Sequence, residues 1–253
     1  MSETGWRIAV LQPMLHHETH DANLQTIAAL LEGTHADLIL LPELFFRTND
    51  VSAYQHYLQQ LAARTGALVV GGSFWMPQGE RCINAGFVVS PAGEIVARYS
   101  KRHPYGREQA QGVCSGAGPV RFAWRGGRVA VMICADLWDR RLVADVSLDC
   151  ELLCVVAESV AEAHPPGVAR TLWHQLMAVR AYEGAQLVAV SDWAEAHHPD
   201  GSATCGVAGV VDPGDLQLAR VSPPVSGGVA VACCEWPRLM AHRQTRRQRT
   251  FLF

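Results

Sequence analysis

The chain has 253 residues, of which 49% are hydrophobic, and its formal net charge is −3 at pH 7. This length fits one large domain or two small ones, and the hydrophobic fraction is enough for a substantial core. The small negative charge argues against a general nucleic-acid binder. No stretch reaches the roughly 18 uninterrupted apolar residues that a membrane span requires.

The N-terminal part of the chain alternates between two hydrophobic patterns. Apolar runs bounded by turn residues predict strands at residues 7–12, 36–43 and 67–75. Apolar residues spaced three and four positions apart predict helices at residues 21–32 and 50–64. The resulting order, β-α-β-α-β, is typical of an α/β protein.

The pattern changes after residue 86. Two strands around a Pro-x-Gly turn are predicted within residues 87–98, and a polar segment follows at residues 101–119. The remaining predicted elements, in chain order, are strands at 120–124 and 129–133, a helix at 138–148, a strand at 151–157, a helix at 170–183, a strand at 186–191, a hairpin at 206–220 and a strand at 228–233.

The two predicted hairpins resemble each other. Val88-Val89 and the turn after it align without gaps to Val210-Val211, at an offset of 122 residues. This match suggests two related halves, although chance similarity between turns would give the same result. Because no linker or low-complexity stretch separates the halves, we expect a single domain over residues 1–253.

The end of the chain, residues 241–253, contains four arginines and no acidic residue, and its last three residues are Phe-Leu-Phe. One interpretation is a disordered basic tail. The other is that the apolar terminus docks on a partner subunit.

The eight cysteines lie mostly in apolar runs, and the chain contains no Cys-x-x-Cys pair. Since no secretion signal is visible at the N-terminus, we expect reduced thiols and a cytoplasmic location. The histidines at positions 16, 17, 20, 197 and 198 lack a recognised ligand spacing, so we expect no metal.

Cys134 ends the apolar run at residues 129–133, and Asp136 follows closely. A thiol where a strand gives way to a turn is held by the sheet and can face a cleft, which suits a nucleophile. Buried cysteines also commonly serve only as packing. The residue itself leaves both interpretations open.

Two charged residues also follow predicted strands. Glu43 closes an almost wholly apolar run; it is either a partly desolvated carboxyl able to act as a base or a solvated strand-end acid. Lys101 follows the strand that ends at residue 100 and opens a segment rich in charge. Read alone, that segment is an ordinary charged loop.

Five short motifs occur together in this chain. They are Leu-Pro-Glu43, Tyr-x-Lys101-x-His103, Ile-Cys134-x-Asp-Leu, Arg-Ala-x-Glu183 and Val-Asp-Pro-Gly214. In order and approximate spacing they resemble the nitrilase superfamily of carbon–nitrogen hydrolases, and the resemblance covers about residues 6–235.

The resemblance implies an α/β fold, a four-layer α-β-β-α sandwich of two mixed sheets, with a Glu–Lys–Cys triad. Cys134 would then be the nucleophile, Glu43 the general base and acid, and Lys101 the group that stabilises the oxyanion. Glu108 matches a second glutamate that helps to position substrate, and the backbone N–H of Ala135 would be a second oxyanion donor. The implied reaction cleaves a non-peptide C–N bond of a small-molecule amide through a cysteine thioester, without metal or organic cofactor.

The residues after the nucleophile separate branches of the superfamily. The sequence Cys134-Ala-Asp-Leu is closer to small amidases than to the Cys-Trp-Glu of nitrile-cleaving members. We therefore expect an amidase, with an ω-amide of a dicarboxylic acid as one candidate substrate. The alternatives are an N-carbamoyl-amide or nitrile hydrolase with the same triad, and a non-catalytic scaffold member.

Two further expectations concern binding. Arg140 and Arg141, just beyond the nucleophile, could hold a substrate carboxylate or could be solvated arginines at a helix start. By resemblance, we expect a homodimer or a higher homo-oligomer, without nucleic-acid or membrane partners.

Overall fold

The structure, a computed structural model, describes residues 5–161, 164–199, 201–215 and 220–248. The strands are β1 (Trp6–Gln12), β2 (Leu38–Leu40), β3 (Leu68–Val70), β4 (Phe74–Gln78), β5 (Arg81–Val89), β6 (Ile95–Ser100), β7 (Val120–Trp124), β8 (Gly127–Ile133), β9 (Leu152–Val156), β10 (Leu187–Ser191), β11 (Ala196–His197), β12 (Ala203–Thr204), β13 (Gly209–Val211), β14 (Arg220–Val221) and β15 (Gly228–Cys234). The α-helices are α1 (His20–Leu30), α2 (Val51–Thr65), α3 (Arg107–Ala110), α4 (Arg140–Ser147), α5 (Pro166–Gly184) and α6 (Trp236–Gln248). A 3₁₀ helix covers Cys134–Trp138.

Two mixed sheets form the middle of the molecule. The first has the strand order β15-β1-β2-β3-β5-β4, with β6 also paired to β5, and the second has the order β14-β13-β10-β9-β8-β7. In each sheet three parallel strands, β1–β3 or β8–β10, lie between an antiparallel strand on one side and an antiparallel hairpin on the other.

The two hairpins that match in sequence, β5–β6 and β13–β14, occupy equivalent places in the two sheets. The part of the predicted second hairpin at residues 216–219 lies outside the described residues. The shared strand order agrees with the prediction of two related halves.

The sheets pack face to face and helices cover their outer faces. Along β1, Ile8 and Val10 join the core between the sheets, whereas Ala9 and Leu11 pack with α1 and α2. This alternation follows from the two-residue period of a strand. Helices α4 and α5 cover the second sheet, through residues such as Val143, Trp173 and Met177. The predicted α-β-β-α sandwich is therefore confirmed.

The strand predicted at residues 67–75 is wrong in its extent. The chain leaves the sheet after Val70 and re-enters at Phe74, so that β3 and β4 are separate strands. Gly72 causes this break: its φ of +62° is a conformation that L side chains rarely adopt, and a Cβ there would lie 2.1 Å from the carbonyl oxygen of Pro42. The strand predicted from residue 87 also begins earlier, at Arg81.

The prediction of a disordered tail from residue 241 is also wrong as far as residue 248. Helix α6 continues to Gln248, and the buried Arg243 donates hydrogen bonds to the carbonyl oxygens of Cys150 (2.7 Å) and Ala185 (3.0 Å). The Phe-Leu-Phe terminus lies outside the described residues. Within the described ranges, none of the helices has the length and apolar composition needed to cross a bilayer.

Candidate active site

The predicted site residues meet at the ends of strands from both sheets. Glu43 lies beyond β2, Lys101 follows β6 and Cys134 follows β8. Together with Glu108 of α3 they line one cavity of about 490 Å³, and all four side chains are buried. The four side chains that the family resemblance implies for the site therefore lie together in one cleft.

Glu43 is held by donors on both carboxylate oxygens. Its Oε1 accepts hydrogen bonds from Lys101 Nζ (2.7 Å) and Asn84 Nδ2 (2.7 Å), and its Oε2 accepts one from the backbone N–H of Glu158 (2.9 Å). Burial raises the pKa of Glu43 to about 7; the charge of Lys101 opposes this rise and that of Glu108 adds to it. A carboxyl with such a pKa can both accept and return a proton near neutral pH.

Lys101 bridges two carboxylates. Besides Glu43, its ammonium group donates to Glu108, which also accepts hydrogen bonds from Asn84 Nδ2 (2.6 Å) and from the backbone N–H of Tyr105 (3.1 Å). Burial lowers the pKa of Lys101, but the electrostatic interactions with Glu43, Cys134 and Glu108 outweigh burial and raise the pKa above its ordinary value. The ammonium group therefore stays charged at neutral pH.

Cys134 occupies a strained turn. It is the first residue of the 3₁₀ helix and has φ +45°, a left-handed conformation that is uncommon for non-glycine residues and recurs at functional sites. Its thiol donates to the carbonyl oxygen of Glu158 at 3.7 Å. Burial raises the pKa of this thiol well above its usual range, and Glu43 raises it further while Lys101 opposes. The resting thiol is thus protonated and needs a base to become a nucleophile.

Asp136 connects the turn of Cys134 to the loop of Lys101. Its buried carboxylate accepts hydrogen bonds from the backbone N–H groups of Arg102 (3.0 Å) and His103 (2.9 Å). Ala135, between Cys134 and Asp136, is half-buried and lines a second cavity that also borders Cys134. The turn of Cys134 and the loop of Lys101 are therefore held against each other by one side chain.

Asn84, which contacts both Glu43 and Glu108, lies outside every motif of the sequence. It lies within the strand β5, and the signal for it is slight: one polar residue interrupts the apolar sequence from Ile83 to Ala85. Its backbone carbonyl also accepts a hydrogen bond from the N–H of Lys101 at 2.8 Å. Asn84 thus fixes the lysine both through its backbone and through the two carboxylates.

Glu158 likewise lies outside the five motifs, although it follows an apolar strand in the same way as Glu43. Its buried carboxylate accepts hydrogen bonds from Arg107 Nη2 (3.1 and 3.3 Å) and lies 2.9 Å from His17 Nε2. Burial acts to raise the pKa of Glu158, but the hydrogen bond from His17 and the charges of Arg107, His17 and Arg47 outweigh it, so that the pKa lies below its ordinary value.

Arg140 and Arg141 lie apart from this group. Both are exposed on α4 and line a separate cavity with residues such as Ser147 and Gln186. The structure therefore places them as solvated arginines at a helix start. Over the described parts of the chain, no three His, Cys, Asp or Glu side chains are grouped so that they could hold a metal ion.

Comparison with known sequences gives matches that span most of the chain. The family model for carbon-nitrogen hydrolases matches residues 7–233. The omega-amidase YafV of Escherichia coli is 30% identical over 201 residues, which cover 73% of each of the two sequences.

Solved structures with the same fold include three that cover nearly the whole chain. A CN-hydrolase superfamily protein of Xanthomonas campestris, with an arsenic adduct in its active site, has a TM-score of 0.79 and 23% identity, covering 95% of this chain and 94% of that one. An amidase from Nesterenkonia sp. has a TM-score of 0.78 and 22% identity, covering 98% and 97%. A mutant of the amidase from Nesterenkonia sp. AN1, in which acrylamide has added to the active-site cysteine, has a TM-score of 0.77 and 22% identity, covering 96% and 98%.

Proposed function

This chain belongs to the carbon–nitrogen hydrolase family of the nitrilase superfamily, and we propose that it hydrolyses the terminal amide of a small molecule through a thioester on Cys134. The observation that carries this proposal is the burial of Glu43, Lys101 and Cys134 in one cavity, with Lys101 Nζ 2.7 Å from Glu43 Oε1. A base, a cation and a thiol side by side are the groups that acyl transfer to cysteine requires.

The first half of the reaction forms the thioester. Glu43, as a carboxylate, accepts the thiol proton while the sulfur of Cys134 attacks the amide carbon, since the raised pKa of the thiol prevents free thiolate from accumulating. The charge that develops on the carbonyl oxygen is stabilised by the ammonium group of Lys101 and the backbone N–H of Ala135. The tetrahedral intermediate expels the nitrogen, which leaves as ammonia or amine with the proton from Glu43.

The second half regenerates the enzyme. Water enters, gives one proton to Glu43 and adds to the thioester carbon. The carbon–sulfur bond then breaks, the carboxylic acid leaves, and the sulfur recovers its proton from Glu43. Glu108 holds Lys101 and Asn84 in place throughout, because both of its oxygens accept hydrogen bonds from these residues.

The substrate we propose is an amide rather than a nitrile or an N-carbamoyl compound. Cys134 is followed by Ala-Asp-Leu, as in small amidases, and the matched relative in Escherichia coli is named an omega-amidase. An ω-amide of a dicarboxylic acid is therefore the first substrate to test.

The test is ammonia release from a panel containing succinamate, glutaramate, butyramide, an N-carbamoyl amino acid and an aliphatic nitrile. Replacement of Cys134 by alanine or serine should lower turnover of the active compound by more than about 10³-fold. The matched control is Cys233→Ala, which removes an exposed cysteine on β15 and should leave turnover unchanged. Undiminished turnover by Cys134→Ala would contradict the proposal, and activity confined to the nitrile or the N-carbamoyl compound would assign the same triad to the alternative substrates.

Labelling distinguishes the proposal from a scaffold that lacks activity. With Cys134 as nucleophile, iodoacetamide should modify it faster than the other seven cysteines, and a turned-over amide should protect it. Slow labelling of Cys134, unaffected by any amide of the panel, would favour the scaffold.

A further inference from the structure

The end of strand β10 carries a buried acid that the mechanism above does not use. Asp192 follows Ser191, the last residue of β10, and its side chain is fully buried. It lines neither of the two cavities that border Cys134. Burial raises the pKa of Asp192 to about 6 against hydrogen bonds that oppose the rise, so the carboxylate is the main form at pH 7 and above. Since a buried charge is costly unless donors surround it, the groups that donate to Asp192 indicate what it does.

Both carboxylate oxygens of Asp192 accept hydrogen bonds from Ser159. The Oδ1 atom accepts one from the backbone N–H of Ser159 (2.8 Å), and Oδ2 accepts one from the hydroxyl group of Ser159 and one from the backbone N–H of Val207 (2.8 Å). The hydroxyl oxygen in turn accepts a hydrogen bond from the backbone N–H of Cys205 at 3.3 Å. Asp192 therefore holds Ser159 both by its backbone and by its side chain.

The peptide unit that Asp192 holds also contacts the thiol of Cys134. The N–H of Ser159 and the carbonyl group of Glu158 belong to one planar unit, and in a trans peptide they point in opposite directions. Asp192 accepts from the N–H on one side, and the thiol of Cys134 donates to the carbonyl oxygen on the other side at 3.7 Å. The hydrogen bond to Asp192 thus orients the carbonyl group towards the thiol.

The preceding peptide unit contacts Glu43. The backbone N–H of Glu158 donates to Oε2 of Glu43 at 2.9 Å. Because the two peptide units share the Cα atom of Glu158, a rotation of the unit that Asp192 holds would also disturb this N–H. Glu158 and Ser159 therefore connect Asp192 to both groups of the proposed proton transfer.

We infer that Asp192 is a positioning residue of the proposed reaction and that it acts through the backbone of Glu158 and Ser159. It fixes the thiol of Cys134 and the carboxylate of Glu43 relative to each other, so that the proton can pass between them. The inference rests on the proposed amidase function and adds to it a residue that touches neither the substrate nor the reacting atoms. Because Asp192 lines neither cavity, its loss should slow the chemical step and leave substrate binding almost unchanged.

Two variants test this connection. Asp192→Asn keeps the size of the side chain and removes its charge and one acceptor, and Ser159→Ala removes only the hydroxyl group. The substrate is butyramide or succinamate, whichever the wild-type protein turns over faster. We expect kcat to fall by about 10- to 100-fold for Asp192→Asn and by about 3- to 10-fold for Ser159→Ala, with KM near the wild-type value in both.

The matched control is Ser147→Ala. Ser147 is also buried, and its hydroxyl group donates to the carbonyl oxygen of Val143 (2.7 Å) and accepts from Gln186 Nε2 (3.0 Å). This serine lies on α4 and lines neither cavity beside Cys134. Its replacement removes a similar set of hydrogen bonds and should leave kcat unchanged.

The pH profile of kcat/KM separates positioning from an effect of charge. Displacement of the N–H of Glu158 takes a donor from the carboxylate of Glu43, so the profile should move to higher pH in both variants. The charge of Asp192 itself raises the pKa of the Cys134 thiol. If Asp192 acted through this charge alone, Asp192→Asn would move the profile to lower pH and Ser159→Ala would leave it in place.

Labelling of Cys134 by iodoacetamide is a second measurement, and it needs no substrate. It depends on the same thiol and base, so its pH profile should move in the same direction, and Ser159→Ala keeps the test available if Asp192→Asn does not fold. The inference is overturned if both variants keep the kcat and the profiles of the wild type, if only KM changes, or if the profiles move to lower pH. Absence of turnover for every amide of the panel, with slow labelling of Cys134 in the wild-type protein, would instead refute the amidase function on which the inference rests.

Discussion

In the proposed mechanism, Glu43 combines two tasks that require different protonation states. As a carboxylate it would accept the proton of Cys134, and in its protonated form it would give that proton to the leaving nitrogen. Its pKa of about 7 results from burial, which disfavours the charge, against the opposing ammonium of Lys101. A carboxyl with an ordinary pKa would be a weak base at neutral pH, so in the proposed mechanism the burial at the end of the apolar strand gives Glu43 the basicity that it needs.

The pH dependence of kcat/KM should report this group. In the free enzyme the active form of Glu43 is the carboxylate, so kcat/KM should rise with pH and level off above an apparent pKa of about 7. The measurement is steady-state ammonia release from butyramide between pH 5 and 9, since butyramide has no titrating group in this range. A profile that is flat from pH 5 upwards, as expected for a carboxyl with an ordinary pKa, would contradict this role of Glu43.

Asn84 lies between the carboxylates of Glu43 and Glu108, and its side-chain nitrogen donates a hydrogen bond to each of them. Lys101 contacts the same two carboxylates. Asn84→Leu keeps the approximate volume and removes both hydrogen bonds. We expect kcat to fall by about 10- to 100-fold. The rise in the pH profile should also move to higher pH, because the carboxylate form of Glu43 loses a donor.

The shift of the profile distinguishes a positioning role from a purely structural one. Arg81→Leu, at an exposed position of the same strand, is the control and should alter neither kcat nor the profile. A fall in kcat for Asn84→Leu without any shift would show that Asn84 supports the fold alone.

Some residues of the site can be predicted from the sequence pattern and others cannot, for physical reasons. Glu43, Lys101 and Cys134 are polar groups at the ends of apolar strands, where the sequence pattern breaks, and Glu158 follows the same rule. Asn84 lies inside a strand and not at its end, so no break in the sequence pattern marks it. Its position in the site is set by the pairing between β5 and neighbouring strands. Whether Cys134 was packing or nucleophile could not be decided from its own strand, since the answer depends on groups from the other sheet.

Helix α6 shows where composition misleads. Its arginines predicted a disordered basic tail, but Arg243 is buried and donates to carbonyl oxygens of two other segments. One of them, Ala185, is the C-terminal cap of α5, where unpaired carbonyls attract cations. The acceptors lie 58 and 93 residues away in sequence, so no local pattern could indicate them.

Arg243 should therefore contribute to stability. Arg243→Met leaves the carbonyl oxygens of Cys150 and Ala185 without this donor and removes the partner of Glu151, so we expect the free energy of unfolding to fall by about 2–4 kcal/mol. Urea unfolding at constant pH measures this free energy. The control is Gln244→Ala, at an exposed position of the same helix, and its free energy of unfolding should stay within about 0.5 kcal/mol of the wild-type value. Equal stability of the two variants would mean that the end of α6 is held by other contacts.

At the scale of the whole molecule, the site exists only where the two sheets meet. Glu43 and Lys101 come from the first sheet, and Cys134 and Glu158 come from the second. Hydrogen bonds cross the boundary: the backbone N–H of Glu158 donates to Glu43, and two backbone N–H groups of the loop after Lys101 donate to Asp136. The alternation of strands and helices predicted an α/β protein, whereas the face-to-face pairing of the sheets followed only from the family resemblance. A pattern of residues defines which face of a strand is buried, but not which other sheet covers it.

The outer face of α5 carries a row of exposed apolar side chains, one of which, Tyr182, has the guanidinium carbon of Arg246 4.0 Å from its ring centroid. Its members are large, exposed and apolar, and their positions fall within about 80° of one another on a helix: Val168, Leu172, Val179 and Tyr182. The polar Gln175 lies on the same face between Leu172 and Val179. A cluster of exposed apolar side chains on one helix face is typical of protein interfaces. We propose that a second copy of the chain covers this row, in a symmetric contact in which each α5 meets its counterpart.

The oligomeric state tests this proposal directly. Size-exclusion chromatography with light scattering should give twice the mass of one chain for the wild-type protein, and Leu172→Glu should shift it towards the monomer, because a charge would be buried without a partner. Val96→Glu, a change at a similarly exposed apolar residue on β6, should leave the dimer intact. A monomeric wild-type protein would contradict the proposal, and a dimer that withstands Leu172→Glu would place the interface on another face.

Because α5 packs on the sheet that carries Cys134 and Glu158, the monomeric variant also tests whether the site needs a second subunit. Unchanged kcat/KM in the monomer would show that the active site of each chain is complete.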